Sequence, residues 1–163
     1  MSVDYLSEQY ESIQLICFIL EDLHFAADIR NVQEIVSMME IRKIPRSPEL
    51  VEGVINLRGQ IIPVVNMRKQ FQMGQRENPK NSKIMIFSKG EKSIGFIVDD
   101  VSQVLRKTQS EILPAPPIMM IGIEQNCIFG MLTEGEKNTM LIDLTKAFSQ
   151  RESKILEAML AQT

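Results

Sequence analysis

The chain has 163 residues, 44% of them apolar, enough for one compact unit or two small ones sharing a core. No apolar run reaches the roughly 20 residues of a membrane span. The opening Met1-Ser2-Val3-Asp4-Tyr5 lacks the basic-then-apolar order of a secretory signal, so a cytoplasmic protein is expected. The net charge of -3 is spread evenly, which argues against a nucleic-acid partner that would want a basic stripe.

In chain order, Ile13 to Leu20 reads as a strand, Glu21-Asp22 as a turn and Leu23 to Ile29 as the returning strand. Asn31 to Met38 has the apolar spacing of a short turn or helix, and Ile41 to Ile44 is a short strand. Ser47-Pro48-Glu49 places an N-cap residue before a proline, which predicts one helical turn leading into Gly53. From Gly53 to Phe71 two apolar runs flank the polar corner Asn56-Leu57-Arg58-Gly59-Gln60, a hairpin with one charge at its tip. Gly59 can take the positive φ of a tight reversal. Pro63 donates no backbone hydrogen bond, which puts its strand at an edge, at a bulge, or against something other than a paired neighbour. Gln72 to Ser82 is a polar linker.

Beyond the linker the pattern returns: a strand from Lys83 to Phe87, a turn at Lys89-Gly90-Glu91, a strand from Ser93 to Val98, and another from Val101 to Leu105. Val32, Ile35 and Val36 recur as Val101, Val104 and Leu105, a shift of 69. Gly53, Val64, Val65, Asn66 and Phe71 recur as Gly130, Leu141, Ile142, Asp143 and Phe148, a shift of 77. A longer connection from Thr108 to Asn126, stiffened by Pro114, Pro116 and Pro117, accounts for the difference. Two copies of a short-strand pattern suggest two small β-barrels related by pseudo-symmetry.

The duplication is an internal control, because residues that only build the barrel should recur. Arg58 falls on Gly135 and Glu34 falls on Gln103, so both charges vanish together in the second copy. Glu34 and Arg58 are therefore expected to pair, the pair fixing the orientation of the corner. An exposed pair is worth about 0.2 to 1 kcal/mol, too little to be kept for stability alone. After Phe148, the capping box Ser149-Gln150-Arg151-Glu152 opens a helix with Ile155, Leu156, Met159 and Leu160 along one side, expected to pack back on a barrel, with docking on a partner as the alternative. Tyr5, Leu6 and Tyr10 are too sparse to assign.

Catalytic groups do not converge. His24 is the one histidine, without a second histidine or cysteine near it to make a metal site. Asp99-Asp100 and Glu21-Asp22 are adjacent carboxylates, of a kind usually solvated. There is no phosphate-binding loop, G-x-G-x-x-G or G-x-S-x-G. No catalytic residue, metal or cofactor is expected. Cys17 and Cys127 lie inside apolar runs, as buried thiols rather than a disulfide framework. Met38-Met39 and Met119-Met120 are the candidates for an adaptable surface, with packing between barrels the plainer reading.

The run Glu52-Gly53-Val54-Ile55-Asn56-Leu57-Arg58-Gly59, followed by Ile62-Pro63-Val64-Val65-Asn66-Met67, resembles the signature of the CheW family of bacterial chemotaxis coupling proteins. Val32-Gln33-Glu34-Ile35, Ile44-Pro45, Gly95-Phe96-Ile97-Val98-Asp99 with Val101, the proline run before Gly130, and Leu141-Ile142-Asp143-Leu144 extend the likeness to about Ile13 to Phe148. The resemblance implies an all-β domain over 13–148 with a few short helices, followed by the helix of 149–163. Two pseudo-symmetric five-stranded SH3-like barrels, about 13–71 and about 82–148, would exchange strands and share a core.

It also implies a non-enzymatic adaptor joining the helical-hairpin tips of chemoreceptors to the regulatory domain of the CheA histidine kinase, touching the membrane only through the receptors. Carried over by residue, Val32, Glu34, Val36, Arg58, Gly59 and Val98 would meet the receptor in a groove between the barrels. Gly53, Val54, Ile55, Asn56 and Leu57 would lie at the kinase contact. Asn66 departs from the family's usual aspartate, which Asp143 keeps. Other readings are an adaptor of the same type in a surface-motility or developmental pathway and, from a different class, a ligand-binding β-barrel.

Overall fold

The computed structural model describes residues 12–71, 73, 80–116, 127–146, 154, 157 and 158. Strands β1 (Ser12–Leu20) and β2 (Leu23–Asp28) form a hairpin, and β3 (Val32–Ser37) follows a single 3-10 turn. A second hairpin, β4 (Val51–Leu57) and β5 (Gln60–Asn66), runs into the short helix α1 (Met67–Gln70). The series then repeats as β6 (Lys83–Lys89), β7 (Lys92–Val98), β8 (Asp100–Thr108), β9 (Ile128–Glu134) and β10 (Lys137–Ile142).

Two five-stranded sheets result, in the orders β8-β1-β2-β10-β9 and β3-β6-β7-β5-β4. Neither sheet is a continuous half of the chain, since each repeat lends its opening hairpin to the sheet of the other. Both sequence shifts reappear in the strand registers. Leu15 faces Asp28 as Ile84 faces Ile97, and Gly53 faces Val64 as Gly130 faces Leu141. Even the bulges recur, at Gln33 in β3 and at Ser102 in β8.

Among the described residues three apolar clusters follow from this arrangement. Ile55, Leu57, Ile62, Val64, Ile84, Ile86 and Ile97 all belong to one sheet, which must curl around them to bury them. Leu15, Cys17, Ala26, Leu132 and Leu141 fill the other sheet in the same way. The largest cluster takes side chains from both sheets, among them Phe18, Phe25, Phe87 and Phe96, and lies between the barrels. Strands β6 and β7 are therefore covered on both faces. That is why they read as continuous apolar runs and not as alternating ones.

Gly53 and Gly130 recur because another stretch of backbone crosses them. A Cβ on Gly53 would stand 2.1 Å from the Arg42 carbonyl oxygen, and one on Gly130 would meet Ile112 at 2.4 Å and the Leu113 carbonyl at 3.2 Å. Arg42 and Val54 exchange both backbone hydrogen bonds, each 2.8 Å, as Leu113 and Met131 do at the equivalent place. The strand expected over Ile41 to Ile44 is this single bridge.

Several local expectations are revised. Val32–Ser37 is a strand where a turn or helix was read, because pairing with β6 decides the conformation of a segment too short to hold a helix by itself. Ser47 and Pro48 make turns, with Ser47 Oγ bonded to the Ile44 carbonyl at 2.9 Å and Val51 N–H to the Pro48 carbonyl at 3.0 Å, instead of a helical turn. Strand β5 is interior despite Pro63. Val54, opposite Pro63, turns its own N–H and C=O away to Arg42, and the ladder to β7 begins only at Val64, so the missing donor breaks neither ladder.

Asp99 is buried, not solvated. Arg68 of α1 grips it twice, Nε to Oδ1 at 2.8 Å and Nη2 to Oδ2 at 2.5 Å, and Glu21 Oε1 stands 3.8 Å from Arg68 Nη1. The Glu21 N–H also donates to Asp99 Oδ2 at 2.7 Å. Arg68 belongs to one barrel and the β1–β2 turn to the other, so the cluster ties the two together. The hydrogen bonds from Arg68 to Asp99 outweigh the cost of burial and push the pKa of the guanidinium up.

Cys17 and Cys127 are buried, and burial pushes the Cys17 thiol pKa up. Met38 packs on the barrel interior and Met39 is exposed. Lys154, Glu157 and Ala158 are helical. The capping box at 149–152, Ile155, Leu156, Met159 and Leu160, as well as Met119-Met120, Phe148, Tyr5, Leu6, Tyr10 and most of the linker, lie outside the described residues.

Candidate functional site

Leu57 pairs with Gln60, leaving Arg58 and Gly59 as the two-residue loop of the β4–β5 hairpin. Both have positive φ, 51° and 87°, the signature of a type I′ turn. The Asn56 side-chain oxygen accepts the Gly59 N–H at 2.9 Å and holds the turn closed. Sequence reasoning assigned the unusual conformation to Gly59 alone. Arg58 shares it, at about 1 to 2 kcal/mol for a side chain that has a Cβ. At the equivalent corner of the second copy Gly135 takes φ 62° without that cost.

The Arg58 guanidinium pairs with the Glu34 carboxylate of β3, the arginine side chain 69% exposed and the glutamate 28%. The pair crosses from an edge strand of the sheet to the hairpin tip. In the second copy the charges near the equivalent end are reversed. Lys107 of β8 meets Glu134, at the end of β9, at 2.8 Å, and Glu111 at 3.6 Å. Lys107 holds the Glu134 carboxyl below its usual range, and Glu134 in return pushes the lysine pKa up.

The bulge at Gln33 rearranges the expected apolar contacts. Without it, Val32, Glu34 and Val36 would share a face. Instead Val32 and Ile35 rest on the core between the barrels, while Val36 packs on the interior of its own barrel, the side to which Glu34 also turns. Val98 is fully buried and cannot line a surface, because β7 is covered on both faces. The apolar residues that β8 does offer are Val101, partly buried on the same shared core as Val32, and Val104, 50% exposed. Their equivalence to Val32 and Ile35 was the available signal for them.

Strand β4 alternates. Gly53, Ile55 and Leu57 point inward and are buried, so they shape the strand without offering side chains to a partner. Val54 and Asn56 face out, with the exposed Ile61 opposite Asn56. Next to them, Glu52 accepts from Asn66 Nδ2 at 3.1 Å and pairs with Lys69 at 2.8 Å. Burial opposes ionisation of Glu52, but the bonds from Lys69 and Asn66 prevail and lower its pKa.

Asn66 also caps α1, its oxygen accepting the Arg68 N–H at 3.0 Å. An aspartate could cap equally well but would set a second carboxylate against Glu52. In the second copy the residue equivalent to Glu52 is Phe129, and there the aspartate, Asp143, is kept. The contrast between Asn66 and Asp143 thus has a local electrostatic reason.

Among the described residues no group of three or more His, Cys, Asp or Glu side chains could hold a metal ion, and no helix is long and apolar enough to cross a membrane. The model of the CheW-like domain family matches residues 14–152. The chain is 31% identical over 146 residues to a chemotaxis protein CheW of Treponema pallidum, covering 87% of this chain and 85% of that one. It is 35% identical over 107 residues to a chemotaxis protein CheW of Thermotoga maritima, covering 66% and 70%. The crystal structure of the scaffolding protein TtCheW from Thermoanaerobacter tengcongensis superposes with a TM-score of 0.76 at 34% identity, over 86% of this chain and 90% of the other. With its exchanged pair of five-stranded barrels and its Asn-Leu-Arg-Gly corner, the chain belongs to the CheW family of chemotaxis coupling proteins.

Proposed function

We propose that this protein is a non-catalytic cytoplasmic adaptor that couples chemoreceptor tips to the CheA histidine kinase, and that Arg58 is read by the receptor. One observation carries the reading. A charged residue is kept in a left-handed corner that its repeat fills with glycine, and its ion pair with Glu34 is too weak to repay the conformation. A side chain held against its backbone preference, with 69% of its surface in water, is available to a partner.

A receptor tip is a helical hairpin, and helices bind such surfaces by laying an apolar face along a groove with a charged rim. Val32, Ile35, Val101 and Val104 supply the apolar part, with Arg58 and Gly59 at the rim. Val54, Asn56 and Ile61, on the outward side of the β4–β5 hairpin, are assigned to the kinase. Contacts of this size are individually weak, so the assembly depends on many linked ones.

The test is Arg58→Glu in co-sedimentation with receptor and kinase. Loss of this protein, and of the kinase it brings, from the receptor pellet, with the fold intact by circular dichroism, is the expected result. Unchanged assembly removes Arg58 from the interface.

A further inference from the structure

Beside the Glu34–Arg58 pair runs a second tie between the same elements. Ser93 of β7 is buried, yet its hydroxyl is not wasted: it donates to Gln33 Oε1 at 2.7 Å and accepts from Gln60 Nε2 at 3.4 Å. Gln33 is the extra residue of the β3 bulge, immediately before Glu34. Gln60 is the first residue after the Arg58-Gly59 turn. The three side chains form a directional chain, amide N–H to hydroxyl to amide carbonyl, in which each bond polarises the next.

The second copy again serves as the control. Its bulge forms at the equivalent residue, Ser102, which bonds the Cys17 backbone carbonyl at 3.4 Å, and the residues equivalent to Ser93 and Gln60 are His24 and Lys137. A barrel of this kind therefore builds its bulge without the chain. Only in the copy that carries Arg58 is the bulge tied across β7 to the hairpin.

Building on the adaptor reading above, we infer that Gln33, Ser93 and Gln60 are positioning residues for receptor recognition. By fixing the bulge relative to the hairpin, they set Glu34 where it orients Arg58. They need not touch the receptor themselves.

The test uses the full chain with Ser93→Ala, Gln33→Ala and Glu34→Gln, alone and combined. Three readouts are taken: thermal midpoint, titration with a receptor-tip fragment, and the Arg58 guanidinium resonances in 15N NMR of the free protein. Ser93→Ala should leave the midpoint within about 3 °C and weaken receptor binding about fivefold, the loss of one neutral hydrogen bond. It should also broaden or shift the Arg58 resonances toward those of Glu34→Gln.

In the Glu34→Gln background, Ser93→Ala should cost nothing further. Full additivity with Glu34→Gln, or wild-type Arg58 resonances in Ser93→Ala, overturns the inference. Gln33→Ala gives the same reading from the exposed end of the chain if Ser93→Ala does not fold. Binding that is indifferent to Arg58→Ala would refute the adaptor reading instead, while the free-protein resonances would still decide whether the brace orients Arg58.

Discussion

Arg58→Gly separates the two accounts of the corner most sharply, because the structure fixes the size of each opposing effect. Removing the Cβ from a residue at φ 51° relieves about 1 to 2 kcal/mol of backbone strain. Against this stands the Glu34 ion pair, worth about 0.2 to 1 kcal/mol with the arginine side chain 69% exposed. A further cost of about 0.4 to 1 kcal/mol comes from the freer unfolded chain that glycine allows. The net lies within about 1.5 kcal/mol of zero, and for a chain of this length about 2 to 4 °C accompanies each kcal/mol. Differential scanning calorimetry should therefore place the variant within about 6 °C of the parent. Titration with a receptor-tip fragment should show at least a tenfold loss of affinity, as expected for removal of a charged contact. A midpoint lowered by 10 °C or more would make the corner a structural element and sink the argument from strain. Unaltered affinity would show that the partner does not read this side chain.

The buried arginine should behave in the opposite manner. Arg68→Ala leaves Asp99 uncompensated beneath the β1–β2 turn and should cost about 3 to 5 kcal/mol, a fall of roughly 6 to 20 °C in the midpoint; a loss under 2 °C would mean the cluster does not hold the barrels together. Asn66→Asp should destabilise by about 1 to 2 kcal/mol through the lost bond to Glu52 and the new repulsion, and Glu52→Gln should restore most of it. Equal destabilisation in both backgrounds would deny the coupling.

Acid stability has a defined window. For Asp28 burial opposes ionisation, but the bonds from Arg30 prevail, and Asp28, Glu52, Glu111 and Glu134 all have folded-state pKa values below their ordinary ones. Their stabilisation is complete above the unfolded values of about 3.9 to 4.3 and is lost as pH falls through the lower folded values. Urea midpoints should be flat from pH 7 to 5 and drop below about pH 4, with Asp28→Asn shallower in that range. An equal slope in the variant excludes Asp28 as a contributor.

The repeat was legible because each half keeps the same apolar positions, and those positions are dictated by barrel interiors that both copies must fill. Phase was not. The resemblance groups Val32 with Val36, and i, i+4 spacing in a helix would keep them on one side. In the strand the bulge adds one residue, flips every side chain beyond it and sends them to opposite sides, with no signature in composition. Val98 enters through the resemblance, but an apolar run covered on both faces has no outward side, and only the sheet order reveals that β7 is interior. Asp99 and Arg68 lie 31 residues apart, and nothing local announces their contact.

What the sequence does disclose about the site comes from asymmetry between the copies. The barrels share their bulges, crossing backbones and hairpin corners, so the positions at which they differ are relieved of folding duty. Glu34 against Gln103, Arg58 against Gly135 and Ser93 against His24 lie in the same sheet, and two of these differences meet in one ion pair while the third ties the neighbouring strand to the same hairpin. Asn66 against Asp143 differs too, but its contrast is answered inside the molecule, by Glu52 against Phe129. The distinction is physical: a difference compensated by a neighbour serves packing, while Arg58, strained and exposed, is the difference we propose to be directed at a partner.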